Sequence, residues 1–162
     1  MTFVVDGTNG LTFPNSTVQA SAGSVLQVVN ATFTTEVSTS SSTYSDVGLT
    51  ATITPKFTTS KILVLVTHAG SRKQTNTTTL STRLLRGSTV INYIDDIGGS
   101  NGSTTLNNFG GTGGNFLDSP ATTSATTYKT QFASYTNTAA VVINNFNLNN
   151  STSTITLMEI AG

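Results

Sequence analysis

The feature that most constrains this chain is a series of short apolar–polar runs, each separated from the next by a cluster of Ser, Thr, Asn and Gly. The chain has 34 Thr, 19 Ser, 15 Asn and 14 Gly, together about half of its 162 residues. Thr favours strands and Asn and Gly favour turns, whereas the best helix formers are scarce. The pattern therefore predicts an all-β protein whose length fits one domain.

The spacing of the runs predicts nine strands after residue 23, and this number without a helical period indicates an antiparallel, jelly-roll-like β-sandwich. Residues 47–54 alternate apolar with small or polar side chains, as expected of a strand with one wet face. Residues 84–91 predict a hairpin with a tight turn at Gly87 and Ser88, whose first central residue needs positive φ. The predicted strands are 25–33, 47–54, 61–68, 78–86, 89–95, 115–118, 126–135, 140–148 and 153–160.

Residues 1–22 differ from this sandwich domain, which we place at 24–162. They contain two short strand pieces, at residues 3–5 and 11–13, separated by turn-forming Asp-Gly and Asn-Gly pairs. So few apolar residues cannot form a core, so the segment must lie along the domain, another copy or a larger assembly. We predict that it attaches the chain to other proteins through Phe3, Val5, Leu11 and Phe13.

The run at residues 62–66, Ile-Leu-Val-Leu-Val, does not alternate. A strand that is apolar on both sides must be covered on both faces. A loop of the same chain is one cover, but a charged content of only 9% favours a neighbouring copy. We predict a trimeric knob, a homotrimer with Ile62, Val64 and Val66 at the interface between copies.

The longest stretch without a strand pattern is residues 98–114, and loops of this length are usually functional or mobile. Its glycine-rich end lacks the following helix and the Lys-Ser/Thr pair of a phosphate-binding loop. Aromatic faces and Asn side chains suit sugar rings, which are apolar on one side and hydroxylated at the rim. We expect contact with a host cell-surface glycan at Tyr93, Asn107, Asn108 and Phe109, with covering of strand ends as the alternative.

Composition argues against several classes of function. The chain has no Cys, which excludes disulfides, thiolate nucleophiles and zinc ribbons. Seven Lys and Arg without a cluster argue against nucleic-acid binding, and no apolar run approaches the roughly 20 residues of a membrane helix. No catalytic residue, metal or cofactor is expected.

Two alternatives concern metals. Asp95 and Asp96 are adjacent on a predicted strand and should point to opposite faces, so they do not form the facing carboxylates of a glycosidase. We expect a solvated strand end, and the alternative is a calcium site that draws on Asn92 or the Gly98 carbonyl. His68, the single histidine, shares a face with Val64 and Val66. We expect a packed or rim histidine, and the alternative is a metal held by three copies on a symmetry axis.

Several segments resemble virion appendage proteins of tailed bacteriophages, particularly marine ones. The opening VVDGTNGLTFPNSTVQASAG is similar to a stretch that recurs near the ends of those proteins, and STYSDVGLTATITPKFTTSKILVLVTHAG to a further pattern. LLRGSTVI, LDSPATTSATTYKTQF and STITLMEI extend the resemblance over most of the chain. In the second segment the pattern falls on Tyr44, Asp46, Gly48, Leu49, Ile53, Pro55, Ser60, Lys61 and Ile62.

The resemblance implies a tail-fibre-like structural protein of the virion, with a homotrimeric β-sandwich knob and no catalytic residues. Fibre chains usually carry a long shaft before such a knob, whereas only about 22 residues precede this one. A capsid decoration or head-fibre protein is therefore the second hypothesis. A polysaccharide-degrading appendage is the third, and it needs two suitably spaced carboxylates from five Asp and two Glu.

Overall fold

The computed structural model describes residues 24–75, 77–98, 108–135, 139–145 and 151–162, and the backbone of three short strands before residue 24. These parts of the chain contain strands and no helix, and so none that could span a membrane. The strands are β1 (Val4–Asp6), β2 (Gly10–Thr12), β3 (Val18–Gln19), β4 (Val25–Phe33), β5 (Val37–Thr39), β6 (Ser45–Ile53), β7 (Lys61–Lys73), β8 (Leu80–Arg86), β9 (Thr89–Gly98), β10 (Asn108–Asp118), β11 (Thr126–Ser134), β12 (Val141–Ile143) and β13 (Ser153–Ile160).

Two antiparallel sheets pack face to face as a sandwich, which confirms the predicted fold class. The first sheet runs β4-β13-β7-β10, and near the end of β7 the strand β12 takes the place of β13 and pairs with β5. The second sheet has the order β6-β11-β8-β9. The strands β1, β2 and β3 form a separate small sheet that shares no ladder with the other two in the described residues.

The core lies between the two large sheets because their strands alternate. In β6 every second side chain from Val47 to Ile53 is buried, and the residues between them are exposed. Each fully buried aliphatic side chain contributes roughly 1.5 to 3 kcal/mol. The core comprises Val47, Leu49, Ala51, Ile53, Ile62, Val64, Val66, Leu80, Leu84, Tyr128, Phe132, Val141, Ile143, Ile155 and Leu157.

Strand prediction was most accurate where alternation is regular. β4 and β13 begin and end at the predicted residues. The hairpin between β8 and β9 is confirmed, since Arg86 pairs with Thr89 and Gly87 has φ +59°. The short β5 was not predicted, and the predicted strand at 140–148 is only Val141–Ile143 within the residues described there.

The predicted loop at residues 98–114 is wrong in its second half, because residues 108–114 belong to β10 and pair with β7. Glycine suggested a loop, but here it permits close approach between strands. A Cβ at Gly113 would lie 2.6 Å from the carbonyl oxygen of Val66. Residues 99–107 lie outside the described residues.

The predicted interface residues also need correction. Ile62, Val64 and Val66 are buried against the second sheet of the same chain, so they belong to its core and are not available to another copy. The alternate residues Leu63 and Leu65 point to the opposite side of β7 and are partly exposed. The strand does present apolar groups on both faces, but its inner face is covered within the chain.

A buried carboxylate holds the turn between β6 and β7. Glu159 of β13 accepts hydrogen bonds from Gln27 Nε2 at 2.5 Å and from the backbone N–H of Lys56 at 2.6 Å. Burial alone would raise the pKa of Glu159, but these bonds and one from the backbone N–H of Phe57 lower it below its ordinary value. Glu159 therefore remains a carboxylate in the folded chain, and its hydrogen bonds hold the turn against β13.

His68 lies on the inner side of β7 and is fully buried, and neither ring nitrogen has a hydrogen-bond partner. Burial lowers the pKa of His68 to about 4, because the interior does not solvate an imidazolium. The neutral ring is therefore the form compatible with the folded chain at neutral pH.

We predict that folding stability falls as the pH drops from about 6.5 to 4. The unfolded chain binds a proton at His68 in this window, whereas the folded chain does not. The free energy of unfolding therefore falls by about 3 kcal/mol. Urea unfolding across pH 4 to 7 measures the loss. The His68→Leu variant removes this titrating group and should lose less stability between pH 6.5 and 4 than the wild type, the remaining loss coming from carboxylates such as Glu159 whose pKa is lowered in the folded chain. Equal slopes in the two proteins would contradict the assignment.

Candidate binding face

A row of polar and aromatic side chains crosses all four strands of the second sheet. Strand register places Asp46 of β6 opposite Gln131 of β11, Gln131 opposite Arg83 of β8, and Arg83 opposite Tyr93 of β9. These positions alternate with core positions along their strands, so their side chains lie on the face turned away from the first sheet. We call Asp46, Gln131, Arg83 and Tyr93 the outer row.

Gln131 connects the charged members of the outer row. Its Oε1 accepts hydrogen bonds from Arg83 Nε at 2.9 Å and Nη2 at 2.6 Å, and its Nε2 donates to Asp46 Oδ1 at 2.8 Å. Lys129 Nζ donates to Asp46 Oδ2 at 2.8 Å. The hydrogen bond from Lys129 lowers the pKa of Asp46 most, and the one from Gln131 lowers it less. Together they hold this pKa below its ordinary value although partial burial raises it.

The ion pair between Lys129 and Asp46 is exposed, and such pairs contribute at most about 1 kcal/mol to stability. Its effect is therefore chiefly geometric. Together with Gln131, it holds a carboxylate and a guanidinium in fixed positions on the sheet surface.

Two tyrosines complete the face. The guanidinium of Arg83 lies 3.8 Å above the centre of the Tyr44 ring, a cation–π arrangement. Tyr44 also meets Tyr93 edge to face, with ring centres 6.4 Å apart, and its hydroxyl is hydrogen-bonded to Ser81. Tyr93 remains 54% exposed. Tyr44 thus supports the face from within, and Tyr93 presents its ring to solvent.

Bulges shape both edge strands at this row. Lys129 pairs with Thr50 but Gln131 pairs with Asp46, so β6 contains extra residues here, and Gly48 within them has φ +99°. The ladder between β8 and β9 also shifts on both sides of the Tyr93 position. Bulges redirect side chains. The one in β6 borders a cleft of about 160 Å³ lined by Asp46, Gly48, Leu49, Thr50, Lys129 and Thr130.

The residues predicted to contact a glycan fall on different strands. Tyr93 lies in the outer row of the second sheet, whereas Asn108 and Phe109 begin β10 in the first sheet. The side chains of these two residues, and Asn107 as a whole, lie outside the described residues. Tyr93 is therefore the predicted contact whose surroundings are defined.

The predicted attachment residues are described only in part. Val5 of β1 pairs with Leu11 of β2 in the small N-terminal sheet, and the side chains of both are outside the described residues. Phe3 and Phe13 fall outside them altogether. The attachment role stays a prediction.

The residues that the structure describes include no group of three His, Asp or Glu side chains that could hold a metal ion. Asp95 pairs with Thr82, whereas Asp96 receives a 3.4 Å hydrogen bond from the Ser81 hydroxyl. His68 is enclosed in the core of its own chain. A shared axial site would need that side chain at the surface.

A second polar cluster closes one end of the sandwich. Arg86 Nη1 lies 2.9 Å from both carboxylate oxygens of Asp118, and the buried Tyr128 hydroxyl donates to Asp118 Oδ2 at 2.6 Å. Burial raises the pKa of Tyr128 most, and the hydrogen bond to Asp118 raises it further. The phenol therefore stays protonated, and we assign the cluster an anchoring role beneath the hairpin turn.

Sequence reasoning missed Arg83, Gln131, Asp46 and Lys129 as members of one site. The outward positions of Arg83, Gln131 and Lys129 follow from alternation along the predicted strands, whereas Asp46 precedes the predicted strand 47–54. Their proximity depends on strand order and on the bulges, which the sequence pattern does not reveal.

Comparison with known proteins adds no assignment. No protein-family model matches the chain, and no curated protein matches it significantly.

We predict that Gly48→Ala destabilises the fold by about 2 to 4 kcal/mol. A Cβ at this position would lie 2.7 Å from the Phe33 ring, and the positive φ is itself unfavourable for alanine. Gly87→Ala is the matched control, because Gly87 also has positive φ but a Cβ there meets nothing within 4 Å. Urea unfolding compares the two, and equal losses would show that the Phe33 contact is unimportant.

Proposed function

We propose that this chain is a non-enzymatic structural protein of a bacteriophage virion, a tail-fibre-like homotrimeric appendage located on the particle. Its N-terminal segment would attach to other virion proteins, and its sandwich domain would face the host. The resemblance of several segments to phage appendage proteins supports this proposal, and so does the all-β sandwich.

The observation that carries the proposed assembly is an apolar row on the outer face of the first sheet. Register places Leu117 of β10 opposite Leu63 of β7, Leu63 opposite Met158 of β13, and Met158 opposite Val28 of β4. Leu117 is 50% exposed and Val28 is 55% exposed. We call these four residues the apolar row.

The apolar row is unusual for a surface sheet face, because its side chains are adjacent and cross four strands. Contiguous exposed apolar surface marks sites of association, and burying it is favourable by about 25 cal/mol per Å². Leu65 lies on the same side of β7 and is 39% exposed, so it adds to this apolar surface. A second copy of this charge-poor chain offers the matching surface, and closed symmetry covers it in every copy.

We predict a trimer of about 50 kDa, three times the chain mass of 16.8 kDa. The double variant Leu117→Lys and Val28→Lys should be monomeric, since it places charges in a desolvated interface. Phe57→Lys, which changes a 55% exposed side chain in the turn after β6, should remain trimeric. Light scattering after size-exclusion chromatography measures all three masses, and a monomeric wild-type protein at micromolar concentration would refute the trimer.

We predict that deleting residues 1–23 leaves a folded trimer that no longer enters virions. The three N-terminal strands pair with one another and share no ladder with the sandwich in the described residues. Melting followed by circular dichroism tests folding, and quantification in purified particles tests incorporation. Loss of the cooperative melt would instead make the segment part of the core.

The number of copies per particle separates a tail fibre from capsid decoration. A tail appendage is present as a few trimers, whereas a decoration or head-fibre protein covers the shell in many copies. Quantitative mass spectrometry of purified virions makes this distinction, and a high copy number would replace the tail-fibre proposal with the decoration hypothesis.

A further inference from the structure

We propose that the outer row is a binding site for neutral oligosaccharides, in which Tyr93 stacks on a sugar ring and Asp46, Arg83 and Gln131 bind its hydroxyl groups. This inference rests on the proposed function for its biological setting, since it specifies the host contact. The binding chemistry itself depends only on the second sheet.

Tyr93 provides the stacking surface. Its ring is 54% exposed, and the edge-to-face contact with Tyr44 fixes its position. The C–H face of a pyranose ring is apolar and can stack on the Tyr93 ring. Because that ring is already held in place, stacking costs little side-chain entropy.

The other members of the row supply oriented hydrogen-bonding groups. The carboxylate of Asp46 accepts hydrogen bonds and the guanidinium of Arg83 donates them, as the vicinal hydroxyl groups of a sugar require. Gln131 lies between them and bonds to both, which fixes their separation. A ligand therefore meets groups that are already ordered.

The dimensions of the row favour an oligosaccharide over a single sugar. Neighbouring strands lie about 4.8 Å apart, so four strands span roughly 14 Å from Asp46 to Tyr93. The cleft of about 160 Å³ at the Asp46 end gives room for a ring substituent beyond the flat sheet.

The charges of this face balance. Arg83 and Lys129 offset Asp46 and the nearby Asp96, which the Ser81 hydroxyl links to Tyr44. A face without net charge has no general attraction for a polyanion, so charge complementarity favours a neutral saccharide over an acidic polysaccharide or a nucleic acid.

The outer row also remains open in the proposed assembly. It lies on the outer face of the second sheet, whereas the apolar row lies on the outer face of the first. Three copies would present three such sites, so weak binding at each gains strength through avidity.

The test is titration of the full-length protein with maltotriose, cellotriose, mannotriose and galactotriose, followed by nuclear magnetic resonance. We expect binding of at least one trisaccharide with a dissociation constant of about 1 mM. The signals of Arg83 Nε–H and of the Gln131 side-chain amide should shift on binding. Tyr93→Ala should weaken binding at least about tenfold, and Tyr93→Phe should retain it.

Tyr135→Ala is the matched control, because Tyr135 is 52% exposed but lies outside the row, and it should bind as the wild type does. Binding of none of the four sugars, binding unchanged in Tyr93→Ala, or shifts that spare Arg83 and Gln131 would each overturn the proposal. The last measurement uses the wild-type protein, so it decides the matter even if Tyr93→Ala does not fold.

The oligomeric state of the same sample separates this proposal from the proposed function. A monomer that binds a trisaccharide through the outer row would overturn the trimer and support the site. A trimer that binds none would overturn the site and leave the assembly intact.

Discussion

The structure depends on β7, because this strand is apolar on both sides and pairs along its length with three others. Its inner residues, including Ile62 and Val64, form the centre of the core, and its outer residue Leu63 joins the apolar row. Burial of the inner face requires the second sheet. The backbone of β7 requires β13 and β12 along one edge and β10 along the other. The order of the first sheet follows from satisfying both requirements at once.

The interior contains polar groups whose hydrogen bonds hold strands and loops together. Asn144 adopts φ +59°, and its Nδ2 donates to the carbonyls of Phe33 at 2.9 Å and Thr35 at 3.2 Å while its Oδ1 accepts from Ser153. Glu159 satisfies backbone donors at the opposite end of the first sheet in the same way. Buried polar groups with complete hydrogen bonding specify one arrangement of strands, because any other leaves them unpaired. Some buried groups are not satisfied in this way, among them both ring nitrogens of His68 and the hydroxyls of Thr82 and Thr130.

Alternation along the sequence was sufficient to predict most strands, because each exposes one face, but it carries no information about which strands are neighbours. The non-alternating run around Val64 was correctly recognised as apolar on two faces, yet the sequence did not show which face the chain covers itself. Glycine misled the prediction near Gly113, since the same residue that ends a strand also lets two strands approach closely. The outer row was missed for a third reason. Its members come from four strands and meet through the strand order, and the bulge in β6 at Gly48 brings Asp46 opposite Gln131.

The two outer faces of the sandwich differ in chemistry, since one is apolar and the other polar. The first sheet presents the apolar row from Leu117 to Val28, and exposure of these side chains to water is unfavourable. The second presents the outer row, whose polar groups are bonded to one another and remain compatible with solvent. The assembly that we propose through the apolar row would therefore leave the proposed saccharide site on the outer row uncovered. The segment 44–49 contributes to this arrangement with alternate residues, since Tyr44 and Asp46 build the polar face while Val47 and Leu49 fill the core.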